Sequence, residues 1–438
     1  MGEIRVPADA LYGAQTQRAV ENFPIGGPRF PRAFIRALCL IKACAARASG
    51  ALGELPADLA AAIEKAAMEA AEGRYDDQFV VDIFQTGSGT STNMNANEVI
   101  GRLAHAHPND HVNRGQSSND VIPSAIHVSA AMLVHSELLP AMEALRDSLA
   151  RKSEEFRDVI KIGRTHLQDA VPMLLGQEFS GYWAQVGSAI GRIQAAMPGI
   201  YELALGGTAI GTGLNAVSGF APAVIADLAS RTGLPFQEAA NHFEAQASKD
   251  AVCFLSGALR TYAVALTKIG NDIRWLGSGP RCGIGEIKLP DTQPGSSIMP
   301  GKVNPVIAES MLMACAQVIG YDATIAWCAA AGNFELNVMM PVMAWDLLES
   351  IRLLAAVSRN FEERCVRWIE ADRERAGGFV EQSLAMCTVL APEIGYEKAA
   401  AIAKEAYRTG RTVREVARER SGLSEDRLNR LLDPASQV

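Results

Sequence analysis

Residues 252–276 read VCFLSGALRTYAVALTKIGNDIRWL, and this stretch decides the fold. Its apolar residues recur at alternating intervals of three and four positions. They are Val252, Leu255, Leu259, Tyr262, Leu266, Ile269, Ile273 and Leu276. A heptad sustained over this length is typical of helices that pack nearly parallel in a bundle. The stretch therefore predicts a long bundle helix.

Several other parts of the chain carry similarly long helical patterns. They fall near 119–152, 177–200 and 305–331, and a further stripe runs through Leu347, Ile351, Leu354, Phe361, Cys365 and Trp368, interrupted by Ser358. An ordinary globular helix has about 11–12 residues, so helices two or three times longer indicate one elongated bundle. Shorter helices are predicted at 31–51 and 56–73, and the polar segments between 85 and 120 are predicted to be loops. We expect an all-α fold.

The overall composition excludes several classes of protein. Aromatic residues make up only 6% of the chain and alanine is abundant, which favours helices over β-sandwiches. The net charge of −8 argues against a partner such as nucleic acid or an anionic membrane. The apolar run near 310–321 is interrupted by charges, and we expect it to be too short to span a membrane. The N-terminus has no apolar signal region, so we expect a cytoplasmic protein.

The eight cysteines form no C-x-x-C pair, and several lie in apolar periodic segments. We expect free thiols in a reducing compartment. The stretch 295–302 fails as a phosphate-binding loop, because its glycines are one residue too far apart and Val303 stands where Ser or Thr is required. The GTGLNA run at 211–216 lacks a preceding strand pattern, so it is weak as a dinucleotide motif. The histidines of 105–111 fit no zinc spacing, and we expect a polar turn there and no metal.

Four polar segments remain, each rich in small hydroxyls and amides. They are Thr86–Asn97, His107–Asp120, Gly163–Asp169 and Gly295–Asn304. Any one of them alone is explained as a capped helix terminus. Together they carry Lys302 and His166 in a helix-rich chain, and hydroxyls, amides and helix N-termini combine to bind anions. We therefore expect them to form a pocket for a small anion.

These segments identify a resemblance to a known family. The block GSSIMPGKVNP at 295–305 resembles the signature of the fumarase/aspartase superfamily, and further blocks match in family order: VPADALYGAQTQRAVENFPI, QTGSGT, HPND, QSSND, GRTHLQDAVP, SGPRCGIGEI and GNFELN. The resemblance runs from about residue 2 to the C-terminal end. QSSND, PGK and GNFELN resemble the class II fumarate hydratases more than the aspartases.

The resemblance implies a particular architecture and assembly. It implies an N-terminal domain over 1–116, a central helix-bundle domain over 117–373 and a small helical C-terminal domain over 374–438. Four central bundles would form a homotetramer with a twenty-helix core. Each active site would then take segments from three subunits, which agrees with polar loops separated by long apolar helices.

The resemblance also implies reversible dehydration of (S)-malate to fumarate through an aci-carboxylate intermediate. The difficult step removes a weakly acidic proton from Cβ and adds charge to a dianion, so it requires a base and donors at the carboxylate. Ser296 matches the base of the family, and we expect amides of its loop to stabilise the alkoxide. Lys302 and Asn304 match the groups that hold and polarise the carboxylate. His166, oriented by Glu309 and acting through water, matches the acid.

The family's substrate-binding residues also find counterparts here. They are Ser88, Thr90, Ser117, Ser118, Asn119, Thr165, Lys302 and Asn304. In the class II enzymes the HPND turn forms a second dicarboxylate site, here His107, Asn109 and Asp110. The link before it is shortened and Ala104 replaces the usual cation, so we expect this site to be weak or absent. The resemblance implies no cofactor and no metal.

Two other functions stay open from the sequence. An aspartate ammonia-lyase, or another C–N lyase of the superfamily, would share the serine chemistry and differ at the α-substituent. A catalytically silent structural bundle is the remote alternative. The intact set of Ser296, Lys302, Asn304, His166 and Glu309 argues against it, because a site that has lost its function has no reason to keep all five.

Overall fold

The computed structural model of the chain describes residues 2–438 and is mostly helical. The α-helices are α1 (Ala14–Asn22), α2 (Arg32–Ala51), α3 (Ala57–Ala71), α4 (Thr90–Ala104), α5 (Ser118–Leu133), α6 (Leu139–Glu155), α7 (Leu175–Tyr201), α8 (Phe220–Thr232), α9 (His242–Ala247), α10 (Asp250–Leu276), α11 (Val306–Ala329), α12 (Met340–Arg364), α13 (Arg373–Gln382), α14 (Ala391–Ile394), α15 (Tyr396–Thr409), α16 (Val413–Arg420) and α17 (Glu425–Leu431). Short 3₁₀ or π-helical turns occupy Asp76–Gln78, Pro108–Val112, Val134–Leu138, Val366–Trp368, Leu384–Leu390 and Pro434–Gln437.

The strands are short and pair two by two. They are β1 (Ile160–Thr165) with β2 (Gln168–Leu174), β3 (Glu202–Leu203) with β4 (Gln237–Glu238), β5 (Ile287–Lys288) with β8 (Glu370–Ala371), and β6 (Gly332–Asn333) with β7 (Leu336–Asn337). The β3–β4 pair is parallel and the other pairs are antiparallel. These small sheets connect helices, so the all-α prediction is confirmed.

The heptad of residues 252–276 lies within α10, as predicted. All eight of its apolar residues are buried, and the most accessible of them, Leu276, is 4% exposed. The other long helical patterns also correspond to helices, because α5 and α6, α7, α11 and α12 cover the predicted ranges. The last two members of the α12 stripe, Cys365 and Trp368, lie beyond the helix, and only Cys365 is buried. The helix ends at Arg364, and Trp368 lies exposed in the following turn.

The prediction of a loop over 85–120 was wrong for its central part, where α4 forms. Asparagine and threonine disfavour a helix when their side chains compete for the backbone. Here these side chains find other partners: Asn95 binds the Gln78 carbonyl, and Thr92 binds Gln85. The helix is therefore stabilised by tertiary contacts that local composition does not reveal.

The chain divides into two compact units, with boundaries inside long helices. The first contains the described residues 2–140, 189–263 and 314–356. In it, α2 packs against α3, α5 and α8, and α4 packs against α1 and α3.

The second unit contains residues 141–188, 264–313 and 357–438. In it, the C-terminal helices α13 to α17 surround an apolar cluster that includes Leu390, Ile402 and Val416. Ile162 of strand β1 belongs to the same cluster, so the β1–β2 hairpin is anchored in this core.

Three helical stretches are long and apolar enough to cross a membrane, judged by length and composition alone. They are Ser118–Glu155, Asp250–Leu276 and Val306–Ala329. The expectation that the apolar run near 310–321 is too short was therefore wrong. The chain itself buries 67%, 50% and 33% of the most apolar window of the three stretches, respectively.

Candidate active site

The segment 295–304 is an irregular loop that turns tightly at Ser296. The Ser296 hydroxyl oxygen accepts hydrogen bonds from the backbone amides of Ile298, at 3.2 Å, and Met299, at 3.0 Å. Amide donors favour a negatively charged oxygen over a neutral one. The loop thus places two such donors on the hydroxyl that the sequence predicts to be the base.

The two ends of this loop are joined by hydrogen bonds. The Gly295 amide donates to the Lys302 carbonyl at 2.7 Å, and the Asn304 side-chain amide donates to the Gly295 carbonyl at 2.8 Å. A Cβ atom on Gly295 would lie 2.6 Å from the Lys302 carbonyl oxygen, so the closure requires glycine. The Lys302 side chain is exposed and forms no ion pair within residues 2–438. Its charge is therefore available to an anion.

His166 lies at the tip of the β1–β2 hairpin. His166 and Leu167 form its two-residue turn, with φ of 57° and 59°, between the paired residues Thr165 and Gln168. Positive φ at both positions suits a tight hairpin but is strained for residues other than glycine. Strain of this kind concentrates at functional sites. His166 and Thr165 are exposed, so both can contact a molecule outside their own hairpin.

A buried cluster of charges supports this hairpin. The Arg164 guanidinium forms a two-pronged ion pair with the Glu286 carboxylate, at 3.0 and 2.9 Å. Glu286 is fully buried, and the Lys161 ammonium lies 3.4 Å from it and 3.2 Å from Glu178. Burial raises the pKa of Glu178, and the Lys161 charge opposes that rise. Because one partner is inaccessible to water, this cluster holds the strand that leads to His166 in place.

A second group of predicted binding residues lies at the N-terminus of α4. The hydroxyl oxygens of Ser88 and Thr90 lie 2.7 Å apart. Gly89 precedes the helix with φ of 74°, a conformation that favours glycine. A Cβ atom on Gly87 would lie 1.8 Å from the carbonyl oxygen of Val338, so the backbone of this turn is tightly packed against the segment after β7.

The third group caps α5. Ser117 and Asp120 form a reciprocal capping box: the Ser117 side chain accepts from the backbone amide of Asp120, and the Asp120 side chain accepts from the backbone amide of Ser117. The Asp120 carboxylate also accepts from the Gly206 and Thr208 amides, at 3.1 and 2.9 Å. Burial raises the pKa of Asp120 to about 6, although these amides lower it. Asn119 donates to the Ala209 carbonyl at 2.8 Å. The predicted serines therefore stand on a helix end that is rigidly held.

The structure joins the α4 and α5 groups directly. The Asn93 side-chain amide donates to the Ser118 hydroxyl oxygen at 3.0 Å, and Ser118 is 9% exposed. It does not join the two predicted acid groups. Within residues 2–438, no hydrogen bond or ion pair links His166 to Glu309, which lies in the first turn of α11.

The HPND segment forms a short π-helical turn over Pro108–Val112. The Nδ1 atom of His107 lies 3.1 Å from Oδ2 of Asp110, and both side chains are exposed, as is Asn109. The turn follows α4 after His105, which has φ of 52°. These three residues therefore lie together at the surface.

Sequence reasoning missed three polar residues that organise these groups: Lys42, Asn93 and Glu286. Lys42 is a single cation in the apolar run LCLIKACAA, and that isolation could have identified it. Asn93 lies inside the Thr86–Asn97 segment, whose composition indicates only that hydrogen-bond donors are abundant there. Across residues 2–438, no group of three or more His, Cys, Asp or Glu side chains is arranged to hold a metal ion.

Comparisons with known proteins agree on one family. The sequence matches the family described as Lyase over residues 2–320 and the family described as Fumarase C C-terminus over residues 386–436. The class II fumarate hydratase of Neisseria meningitidis is 50% identical, covering 100% of this chain and 97% of that protein. The enzyme of the same name from Mycobacterium tuberculosis is 54% identical, covering 98% of this chain and 92% of that protein.

The fold agrees with the same relatives. The crystal structure of the recombinant class II fumarase from Schistosoma mansoni superposes with a TM-score of 0.97 at 42% identity, covering 99% of this chain and 96% of that one. The names of these relatives specify the hydration of fumarate, a small dicarboxylate. From these matches, the chain belongs to the lyase family that includes the class II fumarate hydratases.

Proposed function

We propose that the protein is a hydro-lyase that reversibly dehydrates (S)-malate to fumarate and water. The observation that carries this proposal is the Ser296 hydroxyl, which accepts hydrogen bonds from two backbone amides of its own loop. Full-length similarity to proteins named class II fumarate hydratase supports it. The proposal explains why the polar groups lie on loops and helix N-termini.

Ser296 acts as the base in this mechanism. As an alkoxide it takes the Cβ proton of malate, and the electron pair of the C–H bond moves into the neighbouring carboxylate to form an aci-carboxylate. A serine is ordinarily too weak an acid to supply an alkoxide near neutral pH. Hydrogen bonds to a charged oxygen are about twice as strong as those to a neutral one, so the amides of Ile298 and Met299 favour the alkoxide. The loop closure at Gly295 keeps them in position.

Lys302 and Asn304 stabilise the carboxylate on which charge develops. Both flank the same loop closure, so they are tied to the position of Ser296. The exposed Lys302 ammonium supplies a positive charge, and Asn304 has a second side-chain N–H besides the one that binds Gly295. Losing one donor to a developing oxyanion costs about 10²–10³ in rate.

His166 supplies the proton for the departing hydroxyl through a water molecule. When the aci-carboxylate collapses, the C–O bond breaks and the hydroxyl leaves as water, so an acid is required at that point. Glu309 orients His166 in this proposal. No hydrogen bond or ion pair joins the two residues within residues 2–438 of one chain, so we propose that they come from different subunits.

The remaining polar groups bind the substrate. We propose this role for Ser88, Thr90, Ser117, Ser118, Asn119 and Thr165, alongside Lys302 and Asn304. All are hydroxyls or amides except the lysine, and the first five stand at the N-termini of α4 and α5. Helix N-termini and small donors suit a dicarboxylate because they offer partial positive charge. The second dicarboxylate site at His107, Asn109 and Asp110 is proposed to be weak.

We propose a homotetramer in which three subunits contribute to each site. Large apolar side chains are exposed on the single chain: Phe254 on α10, Met313 and Trp327 on α11, and Phe334 between β6 and β7. Exposed apolar surface of this extent marks protein–protein contact. We propose that these long apolar helices contact other subunits and not a membrane, and that nucleic acid is no partner.

The division into domains over 1–116, 117–373 and 374–438 stays a proposal, as does a cytoplasmic location. All eight cysteines are free thiols, and free thiols persist in reducing compartments, which supports that location. The proposed chemistry uses side chains and backbone amides alone, so we propose that it requires no cofactor and no metal.

A direct assay tests the function. Purified protein is incubated with (S)-malate while the absorbance of the fumarate double bond is followed. We expect absorbance to rise to an equilibrium value and the reverse reaction to reach the same value from fumarate. No change with either substrate would contradict the proposal and favour the silent bundle.

A further inference from the structure

A buried network of polar side chains lies behind Ser118. It contains Lys42 on α2, Asn93 on α4, Asn113 and Gln116 in the segment before α5, and Ser118 itself. Lys42 is 0% exposed and Asn93 is 1% exposed. Buried polar groups are costly unless their hydrogen bonds are satisfied, so the directions of these bonds are strongly constrained.

Lys42 determines the direction of the first bonds. Its side-chain nitrogen donates to the side-chain oxygens of Asn113 and Gln116, each at 2.9 Å. Within residues 2–438 no carboxylate forms an ion pair with it. A lysine nitrogen that faces two amide oxygens donates to both, so the Asn113 oxygen must point towards Lys42. The Asn113 nitrogen correspondingly donates to the Gln116 backbone carbonyl at 3.1 Å.

The orientation of Asn113 fixes that of Asn93. Because the Asn113 oxygen can only accept, Asn93 must turn its NH₂ group towards it, at 3.2 Å. The other hydrogen of the same NH₂ group then points to the Ser118 hydroxyl oxygen, at 3.0 Å. The side-chain oxygen of Asn93 is left buried without a hydrogen-bond partner, a cost that a freely rotating amide would avoid.

We propose that Asn93 is a positioning residue that makes Ser118 donate its proton to a substrate carboxylate. A serine hydroxyl has one proton. When its oxygen accepts from Asn93, that proton is free for a bond on the accessible side of Ser118. The alternative orientation, in which Ser118 donates to Asn93, would present lone pairs to a dianion and repel it. This inference rests on the proposed function, because Ser118 binds substrate only there.

The test removes the NH₂ group of Asn93 without changing the shape of the residue: its bond to Asn113 is lost and its bond to Ser118 is reversed. In the Asn93→Asp variant the carboxylate can only accept, so Ser118 donates its proton into the protein. We expect KM for (S)-malate to rise about tenfold or more, with a smaller change in kcat.

The control is Asn97→Asp. Asn97 is 0% exposed, lies one turn further along α4 and binds the same Asn113 oxygen at 3.2 Å, but within residues 2–438 it forms no hydrogen bond to Ser118. It adds the same charge to the same network, and we expect its KM to stay within about threefold of wild type.

A double-mutant cycle with Ser118→Ala separates positioning from a structural effect. Both Asp substitutions are also made in the Ser118→Ala protein. If Asn93 acts through Ser118, Asn93→Asp then raises KM no more than Asn97→Asp does in that same background. Should the Asp variants fold poorly, the Asn93→Leu and Asn97→Leu pair makes the same comparison without a charge. Equal KM in the two members of a pair, or full additivity with Ser118→Ala, would overturn the inference. An inactive wild type would instead refute the proposed function.

Discussion

The Met299 amide nitrogen lies 3.0 Å from the Ser296 hydroxyl oxygen and donates a hydrogen bond to it. The bond is local to a loop and joins no two elements of the helical core. It can therefore be lost without unfolding the bundle, and a role in chemistry explains its presence better than a role in stability.

Replacing Ser296 by alanine removes the proposed base. We expect kcat for (S)-malate to fall by about 10³, because the general base is lost and no other side chain within residues 2–438 accepts from the Ile298 and Met299 amides. Helical content by circular dichroism and the oligomeric state by light scattering should be unchanged.

Ser297→Ala is the matched control, since Ser297 is the adjacent exposed hydroxyl of the same loop. We expect it to retain activity within about tenfold of wild type. Near-wild-type activity in the Ser296 variant would show that another group removes the proton.

The two surface histidines should differ sharply in importance. His166→Asn removes the proposed acid, and general acid catalysis contributes about 10²–10⁴, so kcat should fall by that order. His107→Asn alters only the exposed turn before Asp110, and we expect turnover to change by less than about twofold. Steady-state kinetics on both variants compares them. Similar losses would mean that the roles of the two histidines are assigned wrongly.

Sequence periodicity predicted the long helices well, because the spacing of apolar residues along a single helix indicates which of its faces is buried. The heptad from Val252 to Leu276 is buried at every position, as expected. Local composition failed for α4, because Thr92 and Asn95 bind partners that are distant in sequence or in another segment.

The site was predictable only in part. Matching motifs identified Ser296 and His166 as candidates and led us to expect loop amides at the serine. No motif indicates that these are the amides of Ile298 and Met299, or that a strained turn carries the histidine. The network behind Ser118 could not be predicted, because Lys42 and Asn93 are 51 positions apart in the sequence and meet only through Asn113.

Assembly should depend on the exposed apolar face of α11. Met313 is 70% exposed on the single chain, and Met313→Glu would place a charge in the proposed subunit contact. We expect light scattering to show dissociation below the tetramer and turnover to be lost with it, because each site needs several subunits. Tyr407→Glu is the control: Tyr407 is 80% exposed on α15 among charged neighbours. A fully active Met313→Glu monomer would contradict the shared site.

Burial of Lys42 should make stability depend on pH. Burial lowers the pKa of Lys42 from 10.5 to about 7, with Asp120 opposing. Between about pH 7 and 10.5, the unfolded chain still holds a proton that the folded chain has lost. The free energy of unfolding contributed by this group therefore rises over that window, by at most about 1.4 kcal/mol per pH unit, and is constant below about 7.

Lys42→Met removes this dependence. We expect the difference in unfolding free energy, wild type minus variant, to increase between pH 7 and 9 in urea titrations at fixed protein concentration. Lys249→Met is the control, because burial lowers the pKa of Lys249 only to about 8. For this control, the unfolding free energy of wild type minus that of Lys249→Met should stay constant from pH 7 to about 7.5 and rise at higher pH. Parallel curves for wild type and Lys42→Met would show that Lys42 is not buried as described.

The last prediction distinguishes water from ammonia as the second product. Both kinds of lyase must remove the Cβ proton, so Ser296 and Lys302 cannot separate them. The difference lies at the α-substituent, which is a neutral hydroxyl in malate and an ammonium in aspartate. The hydroxyl of malate must be protonated as it leaves, and His166 is available for that. The α-ammonium of aspartate departs as neutral ammonia and needs no further proton. The α5 terminus offers Ser117, Ser118 and Asn119, which are neutral.

We therefore expect fumarate to give malate and no detectable aspartate when ammonium is added near pH 8. The products are separated by chromatography after incubation with enzyme, with and without ammonium. The Asp120 carboxylate in the first turn of this helix is fully buried. One of its oxygens accepts from the Ser117 amide and the other from the Gly206 and Thr208 amides, so both are already occupied. Aspartate as the main product would show that an ammonium does bind at this helix end, and that the enzyme is an ammonia-lyase.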